Sequence, residues 1–189
     1  MTDERPNVGP DASVREIVAR NLRFDLQRGR VELLGARILL IPPEFIVQIQ
    51  KQLEATIGAS AKGVLYLAGE RTGQSVVTPG VERLVGLRAK AAAEEIFRGI
   101  AEVSALRGIG VLRVVEFEPE AARFRFQISD GPIPEAYGPS KRPVCHLLAG
   151  WAAGVARNLF GREVLCEEVR CRAAGADACE FVLQPHAIP

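Results

Sequence analysis

The chain has 189 residues, 48% of them hydrophobic and 25% charged, and a formal net charge of +1. That balance suits one folded domain with a sizeable core, and it excludes a global field that would draw nucleic acid or an anionic membrane surface. No apolar run approaches the roughly 18 residues a bilayer span needs, and the polar opening MTDERPNVGPDAS lacks the apolar stretch of an export signal. A cytoplasmic setting without direct nucleic-acid binding is therefore expected.

Residues 1–21 read as a polar tail followed by a short helix, VREIVARN, with Ser13 as its cap and Glu16 in capping-box position. From Leu22 the hydrophobic period falls to two: LRFDLQ, RVELL and ARILLI are short strands split by glycines, a β-meander. Pro42-Pro43 then opens a helix, EFIVQIQKQLEATIG, with Phe45, Ile46, Ile49, Leu53 and Ile57 on one face and Gly58 as its stop. A second helix, ASAKGVLYLAGERTGQSVV, is rich in glycine and alanine, and Thr78-Pro79-Gly80 is expected to end it. Glycine costs roughly 1 kcal/mol against alanine in a helix. Its repeated use points to close helix–helix approach or to room for a ligand. A third helix is expected from Val81 to about Leu106, with Leu84, Leu87, Ala91, Ile96, Ile100 and Val103 turned inward.

IGVLRVVEFEP and ARFRFQISD follow as a strand pair. Phe124, Phe126 and Ile128 alternate with Arg123, Arg125 and Gln127, a strand with one wet face. GPIPEAYGPSKRP reads as a loop, and a small-residue helix, HLLAGWAAGVARNLFG, comes next with Gly150 and Gly154 spaced for close packing. The last stretch is a predicted hairpin, REVLCEEVRC and CEFVL, joined by a turn containing Gly175 and Asp177.

All four cysteines fall in this last third. Clustered thiols in a chain without an export signal point to metal before disulfides. Zn²⁺ takes four thiolate, imidazole or carboxylate ligands in a closed structural site. The hairpin brings Cys171 and Cys179 together at its mouth, Cys145 arrives from the start of the preceding helix, and Glu168 reaches the same point if the strand bulges. Cys166 is a rival fourth ligand and His146 a weaker one. The plain alternative is that the thiols are small buried hydrophobes.

The pattern Glu168, Cys171, Gly175, Cys179 and Phe181 (E-x2-C-x3-G-x3-C-x-F) resembles the signature of the 4-vinyl-reductase-type domain, a small-molecule-binding module. The stretch GRVELLGARILLIPPEFIVQIQKQLEATIGASAKGVLYLAGERTGQ is similar to the N-terminal half of the aromatic-effector sensor domains of phenol- and xylene-responsive transcription activators. Together the two resemblances span residues 22–184. They imply an α+β fold, an antiparallel sheet packed on several helices of the transport-particle and NO-signalling type. They also imply a structural zinc on Cys145, Glu168, Cys171 and Cys179, favouring Glu168 over Cys166, and a homodimer to which the N-terminal segment contributes.

The same resemblance implies an apolar pocket between helices and sheet. The sensors' polar contacts to a phenol hydroxyl fall at Ile96 or Phe97 and at Phe124, which are apolar here, so a more apolar or larger ligand is expected. The pocket candidates are Ile96, Phe97, Phe124, Cys166, Tyr66 and Trp151. No phosphate-binding glycine loop and no Ser/His/acid set is present, and no catalytic residue is assigned. Three functions remain: a sensor or binding module for an apolar or aromatic molecule that acts through a regulatory partner, a protein of tetrapyrrole 4-vinyl reduction, and a dimeric scaffold.

Overall fold

The computed structural model describes residues 14–33, 35–86, 100–102, 104–118 and 120–186. Helix α1 (Val14–Asn21) leads into strands β1 (Leu22–Asp25), β2 (Arg30–Leu33) and β3 (Ala36–Ile38), which form an antiparallel sheet in that order. This is the expected meander, and it stands as a sheet of its own. Helices α2 (Pro43–Ile57) and α3 (Ser60–Gly86) follow. Residues 100–102 and 104–106 are helical. The second half holds β4 (Val111–Glu118), β5 (Arg123–Ser129), α4 (Pro132–Tyr137), α5 (His146–Phe160), β6 (Val164–Arg170) and β7 (Cys179–Pro185). Its four strands pair antiparallel in the order β4-β5-β7-β6.

Helix α5 is apolar around its whole circumference because it is covered on two sides. Ala149, Ala152, Ala153 and Ala156, at helical spacing, join the core with Phe124, Phe126, Phe181 and Leu183 of the sheet. The opposite side carries Gly150 and Gly154 against α3. A methyl group at Gly150 would land on the Tyr66 carbonyl oxygen, and one at Gly154 on that of Glu70. Methyls at Gly69 and Gly73 of α3 would strike the carbonyls of Leu147 and Trp151. These glycines serve close approach of two backbones. Arg157 of α5 ties the crossing by pairing with buried Glu70, 3.0 Å away.

Several elements depart from expectation. Thr78-Pro79-Gly80 does not end α3, whose backbone stays helical to Gly86. One proline forfeits a single hydrogen-bond rung and crowds one turn, which a helix of 27 residues anchored elsewhere along its length can carry. Residues 81–86 thus belong to α3. Residues 87–99, with Ile96 and Phe97, lie outside the described residues, as does Val103.

Pro132–Tyr137, expected as loop, is a short helix. Proline suits its first turn, and Gly138 (φ 80°) ends it in a conformation disfavoured for side-chain-bearing residues. Helix α2 turns Phe45 and Ile49 outward and buries Val47 and Gln50. Burial of Gln50 is tolerable because its amide donates to the Val144 carbonyl (3.0 Å) and to Glu54 Oε1 (2.9 Å). Arg125 is more than a solvated strand residue. With Gln127 it holds the buried Glu180 carboxylate across β5 and β7, its Nε donating at 2.7 Å.

Candidate metal centre and apolar pocket

The hairpin β6–β7 sets three of the four candidate ligands. Its register slips between Glu168 and Arg170, the bulge needed to aim Glu168 and Cys171 at one point. Residues 172–174 form a single 3₁₀ turn closed by Gly175 at φ 92°. Cys179 then begins β7, and the Arg172 amide donates to its sulfur at 3.4 Å. The fourth candidate, Cys145, is the residue before α5. Cys145, Glu168, Cys171 and Cys179 are all buried, and their ligand atoms lie within 4.8 Å of one another. Among the described residues neither Cys166 nor His146 joins them.

The geometry fits a tetrahedral ion. Two sulfurs about 2.3 Å from a tetrahedral zinc sit roughly 3.8 Å apart; here Cys145 and Cys179 are 3.8 Å apart and Cys179 and Cys171 3.9 Å. Disulfides need about 2.05 Å, and all four cysteines are free. Glu168 Oε2 accepts the Cys145 amide at 2.8 Å, while its Oε1 is buried without a hydrogen-bond partner. An orphaned buried carboxylate oxygen beside three thiols is what a cation would satisfy.

The protonation pattern says the same. Hydrogen bonds from Cys145 and Cys179 pull Cys171 far below the usual thiol range. Cys145 is pushed far up by its bonds to Cys171 and Cys179 and by burial. Cys179, lowered by Cys145 but raised more by Cys171 and burial together, comes to about 12, and burial followed by Cys171 lifts Glu168 to about 7. Crowded acids in a dry site cannot all ionise without a counter-charge. A divalent ion displaces their protons. The N-terminal end of α5 adds favourable partial positive charge at the same place.

Outside the ligands, the Gln50–Val144 bond fixes the backbone next to Cys145. Tyr137 donates to Glu54 Oε2 at 2.6 Å, which raises its own pKa to about 12, and Lys51 caps the Tyr137 carbonyl at 2.9 Å. The segment expected near the pocket mouth thus braces the metal end of the molecule.

The pocket lies further along α5. A hollow of about 510 Å³, open to solvent along part of its boundary, is lined by Ile100, Leu112, Phe124, Phe126, Leu148 and Trp151 among others. Its only lining side chains with polar atoms are Ser104 and Trp151. Of the pocket candidates, Phe124 and Trp151 face this hollow. Tyr66 and Cys166 meet each other instead, the Cys166 amide donating to the Tyr66 hydroxyl at 3.0 Å. Ile96 and Phe97 lie outside the described residues. Phe124 stacks on Phe126 (5.1 Å) and Phe126 on Phe181 (5.0 Å), and Phe181 stands across from Glu168. Pocket and metal cluster therefore share both a helix and an aromatic ladder. Sequence reading missed Arg107, whose guanidinium lies 5.8 Å from the Trp151 ring centre; no local pattern marks a contact between residues so far apart in the chain.

Comparison with known proteins gives a consistent frame. The family model of the vinyl-4-reductase domain matches residues 124–185. The chain is 31% identical over 195 residues to the bacteriochlorophyll synthase 23 kDa chain of Cereibacter sphaeroides, covering 94% of this chain and 90% of that one. It is 28% identical to the same-named chain of Rhodobacter capsulatus, covering 97% and 89%. The transcriptional regulatory protein XylR of Pseudomonas putida is 24% identical over 87% of this chain, a match spanning 30% of that protein. The phenol-responsive sensory domain of the transcription activator PoxR, solved with phenol, overlays with a TM-score of 0.76 at 21% identity, covering 93% of this chain and 91% of that one. The last likeness is one of fold.

Proposed function

The chain belongs to the family of the bacteriochlorophyll synthase 23 kDa chain and carries a vinyl-4-reductase domain, and from that premise we propose that it is a zinc-clamped binding module for an apolar small molecule, acting through a partner protein. The observation that carries this reading is the shared helix. Cys145 stands at the start of α5, and Leu148 and Trp151, one and two turns on, line the hollow. When bound, zinc would supply a closed four-ligand staple and no open coordination position. The chain's residues do the rest: Cys145, Glu168, Cys171 and Cys179 hold the hairpin to α5, Gln50 fixes Val144, and the aromatic ladder keeps one wall of the pocket stiff.

A lining with so few polar atoms excludes water and selects against ligands that must hydrogen-bond. A buried hydroxyl without a partner costs about 1–3 kcal/mol. This supports a guest more apolar than phenol. A second reading, that the guest is a tetrapyrrole, is favoured by the near full-length match to the bacteriochlorophyll synthase chains. Native mass spectrometry and absorption spectroscopy of protein purified from its own host separate the two. A retained colourless apolar molecule supports the first reading, and a bound tetrapyrrole, with its strong near-ultraviolet band, supports the second. A cavity that neither retains nor takes up any apolar compound contradicts both.

The N-terminal face supports a homodimer. Phe24, Leu26, Leu39 and Leu40 are exposed on the meander and its exit, continuous with Phe45 and Ile49 of α2. Such an apolar patch marks an interaction site, and an open strand edge is self-complementary about a two-fold axis. Sedimentation of the purified chain at twice its monomer mass is expected.

Among the described residues, no helix is long and apolar enough to cross a membrane.

A further inference from the structure

We propose that the ligand is an amphiphilic anion, an apolar body bearing a carboxylate, with the body in the hollow beside Phe124 and Trp151 and the carboxylate on Arg107 at its rim. This rests on the pocket reading above and names the ligand class of that site. Arg107 lies between Ser104 and Ile109, both of which line the hollow, and three residues beyond Ser104, so it continues that face. Its guanidinium stands 5.8 Å from the ring centre of Trp151, a third lining residue.

Every other arginine singled out near the core has an acidic partner: Arg125 pairs with Glu180, and Arg157 with Glu70 and Glu163. Among the described residues no carboxylate pairs with Arg107, and partial burial pulls its pKa below the ordinary value. A guanidinium held against an indole face keeps its planar fork of donors free, and that fork matches a carboxylate. The lining supplies no anion and no donor of comparable strength, so an apolar molecule with one carboxylate fits body to wall and head to rim.

The test uses two probes of equal chain length, decanoate and decan-1-ol, read by fluorescence of Trp151, the protein's single tryptophan. Wild-type protein is expected to bind decanoate at least about tenfold more tightly than decanol, the order of one charge-assisted hydrogen-bonded contact. Arg107→Gln should remove that preference by weakening decanoate alone, and Arg107→Lys should restore part of it. Equal binding of the two probes by wild type, or equal weakening of both in Arg107→Gln, overturns the anchor and leaves the apolar pocket standing. Binding of decanol alone has the same meaning. Failure of folded wild-type protein to bind either probe overturns the anchor and the pocket reading together.

Discussion

The C-terminal sheet and the N-terminal meander are both small antiparallel sheets, yet they solve burial in opposite ways. In the first, Phe126, Phe181 and Leu183 are 3%, 0% and 2% exposed, covered by α5 and closed by the cysteine–glutamate cluster. In the second, Phe24, Leu26, Leu39 and Leu40 are 57%, 89%, 77% and 68% exposed. Both have strand-forming sequences. The difference lies in what stands opposite: the C-terminal strands have an alanine face and a metal-ready hairpin, whereas the meander offers its apolar side chains outward. A sheet that buries itself is built to hold a guest, and one that does not is built to meet a neighbour.

The sharpest way to break this contrast is to open the clamp. Cys171→Ser should lose zinc and most folded protein, because structural zinc contributes about 10–16 kcal/mol in small metal-dependent folds, as much as a domain's whole net stability. Cys166→Ser should keep one zinc per chain and a cooperative melt, since Cys166 lies outside the cluster. Elemental analysis and thermal unfolding of the pair check this; the reverse result would remove Glu168 from the ligand set.

The next largest effect concerns the crossing of α3 and α5. Gly150→Ala should destabilise by about 3 kcal/mol, the upper end of overpacking costs, because the added methyl meets the backbone of Tyr66. Gly63→Ala, on the same α3 but with open space at the added carbon, should be neutral or stabilise by up to about 1 kcal/mol. Denaturant midpoints decide it.

A smaller effect is expected where α2 braces the metal end. Tyr137→Phe removes the bond to Glu54 and should cost about 1 kcal/mol. The folded-state pKa of Tyr137 is raised from 10.0 to about 12, so this stabilisation is complete below pH 10 and fades as pH rises through 12. The stability gap between wild type and Tyr137→Phe should therefore close over that window in paired melts.

The smallest effect on stability belongs to the meander. Leu39→Glu places a charge where the lone chain leaves the side chain exposed, so its unfolding free energy should move by no more than about 0.5 kcal/mol. Its sedimentation coefficient, by contrast, should fall to that of a monomer.

Much of the C-terminal half was legible because its signals are local. The alternation of Phe124, Phe126 and Ile128 with polar residues gives a half-wet strand directly, and a turn around Gly175 gives the hairpin. The need for a bulge between Glu168 and Cys171 follows from strand geometry alone, and the register slip meets it. What escaped was decided at a distance. The buried side of α2 is set by Gln50 reaching Val144, 94 positions away, so the row Phe45, Ile49 and Ile57 misled. Pro79 reads as a stop from propensity, but α3 continues past it. Arg107 carries no motif, and its meaning comes only from Trp151 beside it.

The account rests on the clamp that closes the C-terminal sheet, and zinc content measures it most directly. Chain purified without added metal, shown to melt cooperatively and then analysed by inductively coupled plasma mass spectrometry, is predicted to carry one zinc per molecule. Cooperatively folded chain holding well under one equivalent of zinc would contradict it.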